Sequence, residues 1–177
     1  MPQVRKATTL DIDSIRRIHL SAFPKGEGEL ISRLAEDLLN EHTNPPTINL
    51  ISETREGPVG HVAFSPVRNR QADSWLGYIL APLGVRPEAQ KIGVGSELVE
   101  SGIGLLKKSE ANVLFVYGDP KYYSRFGFNA TVAENYKPPY PLQYPFGWQA
   151  MVLNSGENVP PSAKLECVDS LRNPELW

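Results

Sequence analysis

The amino-acid sequence predicts an α/β domain, a mixed β-sheet flanked by helices and splayed at one strand. Three observations predict it. Segments of strand and helix character follow in the order strand, two helices, hairpin, strand, helix, strand, helix and further strands. The third long strand-like run, Trp75 to Val85, contains Pro82 and Gly84. Proline cannot donate a ladder hydrogen bond and glycine adds no packing, so a bulge or splayed edge is expected there. That run then leads through Pro87 into a helix start punctuated by Gly93 and Gly95.

The chain of 177 residues suits one domain with a full core, read as 1–177 with 155–177 as a C-terminal extension. It is 41% hydrophobic and 21% charged with a net charge of −2, which argues against the basic surface that nucleic-acid binding needs. The N-terminus has no apolar leader segment, and no run approaches the roughly 18 apolar residues of a membrane span. A soluble, cytoplasmic protein is therefore expected. Cys167 is the only cysteine, so no intrachain disulfide can form, and its place in a late strand-like run favours packing over nucleophilic chemistry.

Taken in order, Gln3 to Ala7 reads as a short strand. Thr8 or Thr9 then precedes an amphipathic helix whose buried face would be Leu10, Ile12, Ile15, Ile18 and Leu20. After Pro24 and Gly26, a second helix from about 27 to 40 sets Leu30, Ile31, Leu34, Leu38 and Leu39 at helical spacing. Asn44-Pro45-Pro46 forces an extended turn. Strands Ile48 to Ser52 and Val59 to Phe64 should form a hairpin around the polar Glu53 to Pro58 turn. The helix after Gly93 presents Val94, Leu98, Val99, Leu105 and Leu106 to the core. Val113 to Tyr117 is apolar throughout, as a strand buried on both faces should be. Asp119 suits an N-cap, Pro120 the first helical position and Gly127 a helix stop, isolating a short helix. Later strands are expected over Phe128 to Val132 and Gln149 to Leu153, separated by a proline-rich and aromatic segment, Tyr136 to Trp148.

The chemistry-bearing stretch runs from Leu83 to Ser96, L-G-V-R-P-E-A-Q-K-I-G-V-G-S. A helix N-terminus exposes unpaired N–H groups and carries roughly half a positive charge, so a phosphate is its natural guest. Gln90, Lys91 and Ser96 add side-chain donors, and Gly93 and Gly95 let an anion approach the backbone. The plainer reading is an ordinary strand-to-helix connection. No glycine-lysine pair followed by Ser or Thr occurs, which excludes a Walker loop. Leu98 stands where a dinucleotide fingerprint needs a third small residue.

Val85, Pro87, Gln90, Gly93 and Gly95, followed by Tyr123-Ser-Arg-Phe-Gly-Phe128, resemble the two recurrent motifs of the GNAT acetyltransferase superfamily. The wording from Val85 to Phe128 is most similar to the YhbS-like bacterial branch. The resemblance implies a single GNAT-like domain with acetyl-CoA as cosubstrate and no metal. It implies an N-acetyltransferase whose acceptor, a small molecule or a peptide, bears a primary amine; a homodimer stays open. Gln90, Lys91, Ile92, Gly93, Val94, Gly95 and Ser96 would hold the diphosphate, and Leu83 and Val85 would pair with the pantetheine arm. The Leu83 N–H would polarise the thioester carbonyl, and Tyr123 would protonate the leaving thiolate, with Tyr122 as the competing phenol.

The base is where this sequence departs from the pattern. Many family members place a glutamate before the bulge; here Ile79 stands there, between Tyr78 and Leu80. His61 is the candidate base, acting through water, against a purely structural role. Glu27 and Glu29 are helix-start charges that could also face the acceptor. His19 and His42 do not cluster with His61 by spacing, and no zinc-protease helix motif occurs. The Tyr136 to Trp148 segment could wall an acceptor pocket, bind a partner as a polyproline segment, or simply pack. Because the glutamate is missing, a non-catalytic acyl-CoA sensor is the alternative reading, with a nucleotide-binding protein third.

Overall fold

The computed structural model of the chain describes residues 1–156 and 159–177. These form two compact units, Met1–Phe64 with Ala81–Gly102 and Ser65–Leu80 with Ile103–Trp177. In chain order, β1 (Gln3–Lys6) is followed by a 3-10 turn at Thr9–Asp11, α1 (Ile12–Ala22) and α2 (Glu27–Asn40). Next come β2 (Ile48–Thr54), β3 (Gly57–Asn69), β4 (Ser74–Val85) and α3 (Val94–Lys107).

In the first unit β1 pairs antiparallel with β2, and β2 with β3 from Ile48↔Phe64 to Thr54↔Gly57. The hairpin turn is therefore only Arg55 and Glu56, tighter than the Glu53 to Pro58 loop expected. Arg5 ties the unit's opening together. Its guanidinium donates to both Asp11 carboxylate oxygens at 2.9 Å and to Glu53 at 2.9 Å, and it holds the Asp11 carboxyl down near pKa 2. Ile15, Ile18, Ala35 and Ile51 form a fully buried cluster.

Two leucines depart from the expected α1 face. Leu10 is 93% exposed because the Thr9–Asp11 turn breaks helical phase before α1 begins. Leu20, 41% exposed, lies about 200° round the helix from Ile18. In their place His19 is buried beside Ile15 and Ile18. On α3, Ile103 is buried and Leu105 is not.

The second unit continues with β5 (Val113–Tyr117), α4 (Pro120–Tyr123), α5 (Ala130–Ala133), β6 (Tyr136–Lys137), β7 (Trp148–Val152) and β8 (Ala163–Cys167). β4 runs parallel to β5 from Gly77↔Val113 to Leu80↔Val116, and β5 runs antiparallel to β7. β8 pairs with β3 at Val67 to Asn69 and with β6. Hydrogen-bonded neighbours thus follow the order β1-β2-β3-β4-β5-β7 in a mixed sheet.

The strand expected over Phe128 to Val132 is a short helix instead. Asn129 Oδ1 accepts from the Thr131 N–H at 2.6 Å, an N-cap that outcompetes strand pairing and leaves one bridge, Asn129↔Ala150. Of the 155–177 stretch, Glu157 and Asn158 lie outside the described residues; the rest supplies β8 and a docked terminus. Trp177 is 7% exposed, its ring 6.3 Å from Tyr117 and 6.2 Å from Trp148, and its Nε1–H donates to the Leu171 carbonyl. Burial pushes the Cys167 thiol up to about 12, so it stays neutral. No helix among the described residues is long and apolar enough to cross a membrane.

A Cβ on Gly77 would stand 1.9 Å from the Val113 carbonyl oxygen, whereas one on Gly104 would meet nothing within 4 Å. Gly77→Ala is expected to cost about 2 kcal/mol or more, since the clash is with backbone of the β4·β5 ladder. Gly104→Ala should gain about 0.5–1 kcal/mol from helix propensity and a stiffer unfolded chain. Urea unfolding of the pair checks this; equal midpoints would contradict the register.

Candidate active site

The first unit holds the end of β4 and the start of α3. Pro82 and Gly84 are buried while Leu83 and Val85 are half-buried on the other side of the strand. The Arg86 N–H donates to Val59 of β3 at 2.9 Å, then Pro87–Ala89 makes a 3-10 turn. Gln90 uses one side-chain N–H to bind the Val85 carbonyl at 2.9 Å, so half of its amide closes the turn. Lys91 at φ 62° and Gly93 at φ 93° both take left-handed backbone, a conformation costly for lysine and natural for glycine. Ile92 is 69% exposed, and Lys91 is exposed beside it.

Helix α3 begins here because the Glu97 N–H reaches Gly93 O at 2.9 Å, starting the intrahelical ladder. The N–H groups of Val94, Gly95 and Ser96 precede that ladder and point out of the helix end, where the dipole is positive. Its first turn lies directly on β3, since a Cβ on Gly60 would be 2.9 Å from both Val94 Cγ1 and Leu98 Cδ1. The seven residues from Gln90 to Ser96 are thereby gathered in one turn at the positive end of the helix dipole, a place that suits an anion.

Tyr123 lies in the second unit. Asp119 Oδ1 caps α4 by accepting from the Lys121 N–H at 2.9 Å, and Gly127 ends the segment at φ 99°. The Tyr123 ring rests on Gly118, where an added Cβ would come within 2.5 Å of Cε2. Burial, reinforced by Tyr122, pushes the Tyr123 hydroxyl above its usual value, so it carries its proton at neutral pH. Tyr122 packs edge-on against it at 5.0 Å and carries the Arg125 guanidinium over its own face at 4.6 Å. The proline-rich segment is tied to the same place. Gly118 N–H donates to Gly147 O at 3.0 Å, and the Tyr144 N–H to the Tyr117 hydroxyl oxygen at 2.8 Å.

His61 is fully buried with both ring nitrogens engaged. Its Nδ1 lies 2.8 Å from Nε2 of His19, which corrects the expectation that these histidines do not meet. Its Nε2 lies 3.0 Å from Asn49 Oδ1. Asn49 Nδ2 donates to Leu38 O at 3.5 Å, which turns Oδ1 toward His61. The chain therefore reads Asn49 Oδ1 accepting from His61, and His61 Nδ1 accepting from His19 Nε2–H. His61 has no nitrogen free for a proton from outside the pair. His19 Nδ1 is left as a buried acceptor without a partner, a state that costs about 1–3 kcal/mol. Burial lowers His19 to about 4 and takes His61 down as well. Ile79 is buried, and Glu29 is occupied in capping α2 through the Gly26 N–H. Among the described residues no three His, Cys, Asp or Glu side chains gather as a metal site.

The model of the acetyltransferase (GNAT) family matches residues 12–128. The uncharacterized N-acetyltransferase YjhQ of Escherichia coli (strain K12) is 35% identical over 135 residues, 75% of this chain and 72% of that protein. The fold matches the crystal structure of Escherichia coli YhbS, a GNAT family N-acetyltransferase in complex with CoA, at a TM-score of 0.82. Identity there is 24%, with 97% of this chain and 92% of that one covered. A GNAT family acetyltransferase from Brucella melitensis in complex with acetyl-CoA is 27% identical at a TM-score of 0.69, over 96% of this chain and 97% of that one.

The depressed histidines make a pH prediction. His19 binds its proton near 6.5 when unfolded and only near 4 when folded, so the unfolded state holds more protons between those values. Stability is complete above about pH 6.5 and falls by up to about 3 kcal/mol as pH drops to about 4. His61 adds to the same fall. Asp11, lowered from 3.8 to about 2, acts only below that window. Urea midpoints at about pH 7, 5.5 and 4.5 should decline with uptake of about one to two protons; a flat profile would mean the pair is not held neutral.

Proposed function

The chain belongs to the acetyltransferase (GNAT) family, and from that premise we propose that it transfers acetyl from acetyl-CoA directly to a primary amine of its acceptor. The observation that carries the reading is the turn from Gln90 to Ser96, where left-handed backbone at Lys91 and Gly93 opens α3 and the intrahelical ladder starts only at the Glu97 N–H, after the N–H groups of the first turn. CoA and acetyl-CoA in the two structural relatives support the choice of cosubstrate. In this reading residues 1–177 act as one acyltransferase domain in the cytoplasm.

The diphosphate is assigned to Gln90 through Ser96 and the pantetheine arm to the backbone of Leu83 and Val85. The amine nitrogen attacks the thioester carbonyl carbon, and the Leu83 N–H stabilises the oxygen as it gains charge. Collapse breaks the C–S bond, and Tyr123, whose desolvated phenol keeps its proton, gives it to the CoA thiolate. No covalent enzyme intermediate is needed; positioning and charge stabilisation supply the rate.

A second reading, an acyl-CoA sensor, is favoured by one observation: the buried Ile79 stands where many family members carry a glutamate. Release of free CoA thiol with any amine rejects the sensor. Titration calorimetry should register acetyl-CoA binding, and no heat together with no thermal shift at millimolar ligand would reject both readings. Tyr123→Phe is expected to lower kcat by about 100-fold while leaving acetyl-CoA affinity within about two-fold. Unchanged turnover would remove Tyr123 from the chemistry.

A further inference from the structure

With Ile79 apolar and His61 closed off, the proton acceptor for the attacking amine has to be another group. His19 is the buried histidine with a nitrogen to spare. Its Nδ1 faces Gly84, where an added Cβ would lie only 2.6 Å away. Gly84 sits between Leu83 and Val85, the two residues assigned to the thioester and its pantetheine arm. On another side the His19 ring is stacked under Phe23, ring centroids 6.0 Å apart and planes 18° from parallel. Phe23 is half-buried at the end of α1, in a connection whose next three residues, Pro24, Lys25 and Gly26, are exposed. Gly26 takes φ 92°, so this connection is a tight turn and not helix.

Resting on the acetyl-transfer reading, we infer that His19 is its general base: the acceptor amine displaces Phe23 and gives its proton to His19 Nδ1, which His61 and Asn49 hold in the accepting tautomer. The C–N bond forms as the carbonyl π pair moves to oxygen, and the ammonium proton of the intermediate passes to Nδ1. The C–S bond then breaks, and the thiolate takes the Tyr123 proton. Amide and CoA thiol leave, and the imidazolium and phenolate return to neutrality by one proton transfer through solvent. The charged imidazolium keeps its Nε2–H bond to His61, so the positive charge is spread toward a second ring and the Asn49 dipole. The low proton affinity that burial imposes keeps Nδ1 bare across the neutral range.

The test compares thiol release from acetyl-CoA with two small nucleophiles. n-Butylamine attacks as its free fraction, and its strongly basic nitrogen holds the intermediate's ammonium proton until a base takes it; the weakly basic nitrogen of hydroxylamine gives that proton up to water readily. His19→Gln is expected to lower kcat with n-butylamine by about 100-fold and with hydroxylamine by less than about three-fold, acetyl-CoA affinity being unchanged. A structural role would lower both alike, and equal losses, or none, would overturn the assignment. If the wild-type chain binds acetyl-CoA but turns over neither nucleophile, the base assignment also fails. If it binds no acetyl-CoA, the transfer reading itself has failed. Should His19→Gln not fold, nitrogen-15 spectra of the wild-type protein decide the matter. A protonated Nε2 with a bare Nδ1 on His19 is expected, and the opposite tautomer would overturn the proposal.

Discussion

The close seating of α3 on β3 is the constraint on which the first unit depends. Gly60 admits Val94 and Leu98 from the helix's first turn, and Gly102 admits the Phe64 ring, whose Cζ would lie 2.0 Å from an added Cβ. A methyl group at either place would lift the helix. Its N-terminus is useful only in one position, because the field of unpaired N–H groups fades within a turn. The Arg86 N–H bond to Val59 and the Gln90 bond to Val85 then determine how the chain travels from β4 to that helix end. The position of residues 90–96 is thus a result of packing several residues away.

The opposite face of β3 is organised on polar terms. Placing two neutral histidines in an apolar layer costs solvation and leaves one nitrogen without a partner. The Leu38 carbonyl, Asn49 and His61 repay part of that cost by hydrogen bonding, and in doing so they specify which nitrogen of each ring carries hydrogen. A wholly apolar layer would be easier to build. Local rules of folding are broken most visibly beside Gly84, next to the residues assigned to the thioester.

Most of the architecture was legible from periodicity and turn chemistry. Val113 to Tyr117, the Asp119 cap and the 27–40 helix lie where those signals put them. What was not legible came from local competition or from long-range pairing. Asn129 reads equally as a strand residue or a cap, and only its bond to Thr131 decides between them. Leu10 reads as helical until the preceding turn removes it from phase. His19 follows Ile15 by four residues, so its burial could have been read from α1; its contact with His61, 42 residues on, could not. The turn from Gln90 to Ser96 was visible from its glycines, whereas the use of half the Gln90 amide within the turn was not.

The aromatic docking of Trp177 bears on how the protein is handled. Its indole stacks on Tyr117, lies tilted to Tyr140 and edge-on to Trp148, and has its nitrogen committed to the Leu171 carbonyl. A purification handle or reporter joined after this residue would have to leave from within an aromatic cluster, pulling at the Tyr117 strand that leads to Gly118 and Tyr123. Met1, by contrast, stands free in solvent, which makes the opposite terminus the better place of attachment.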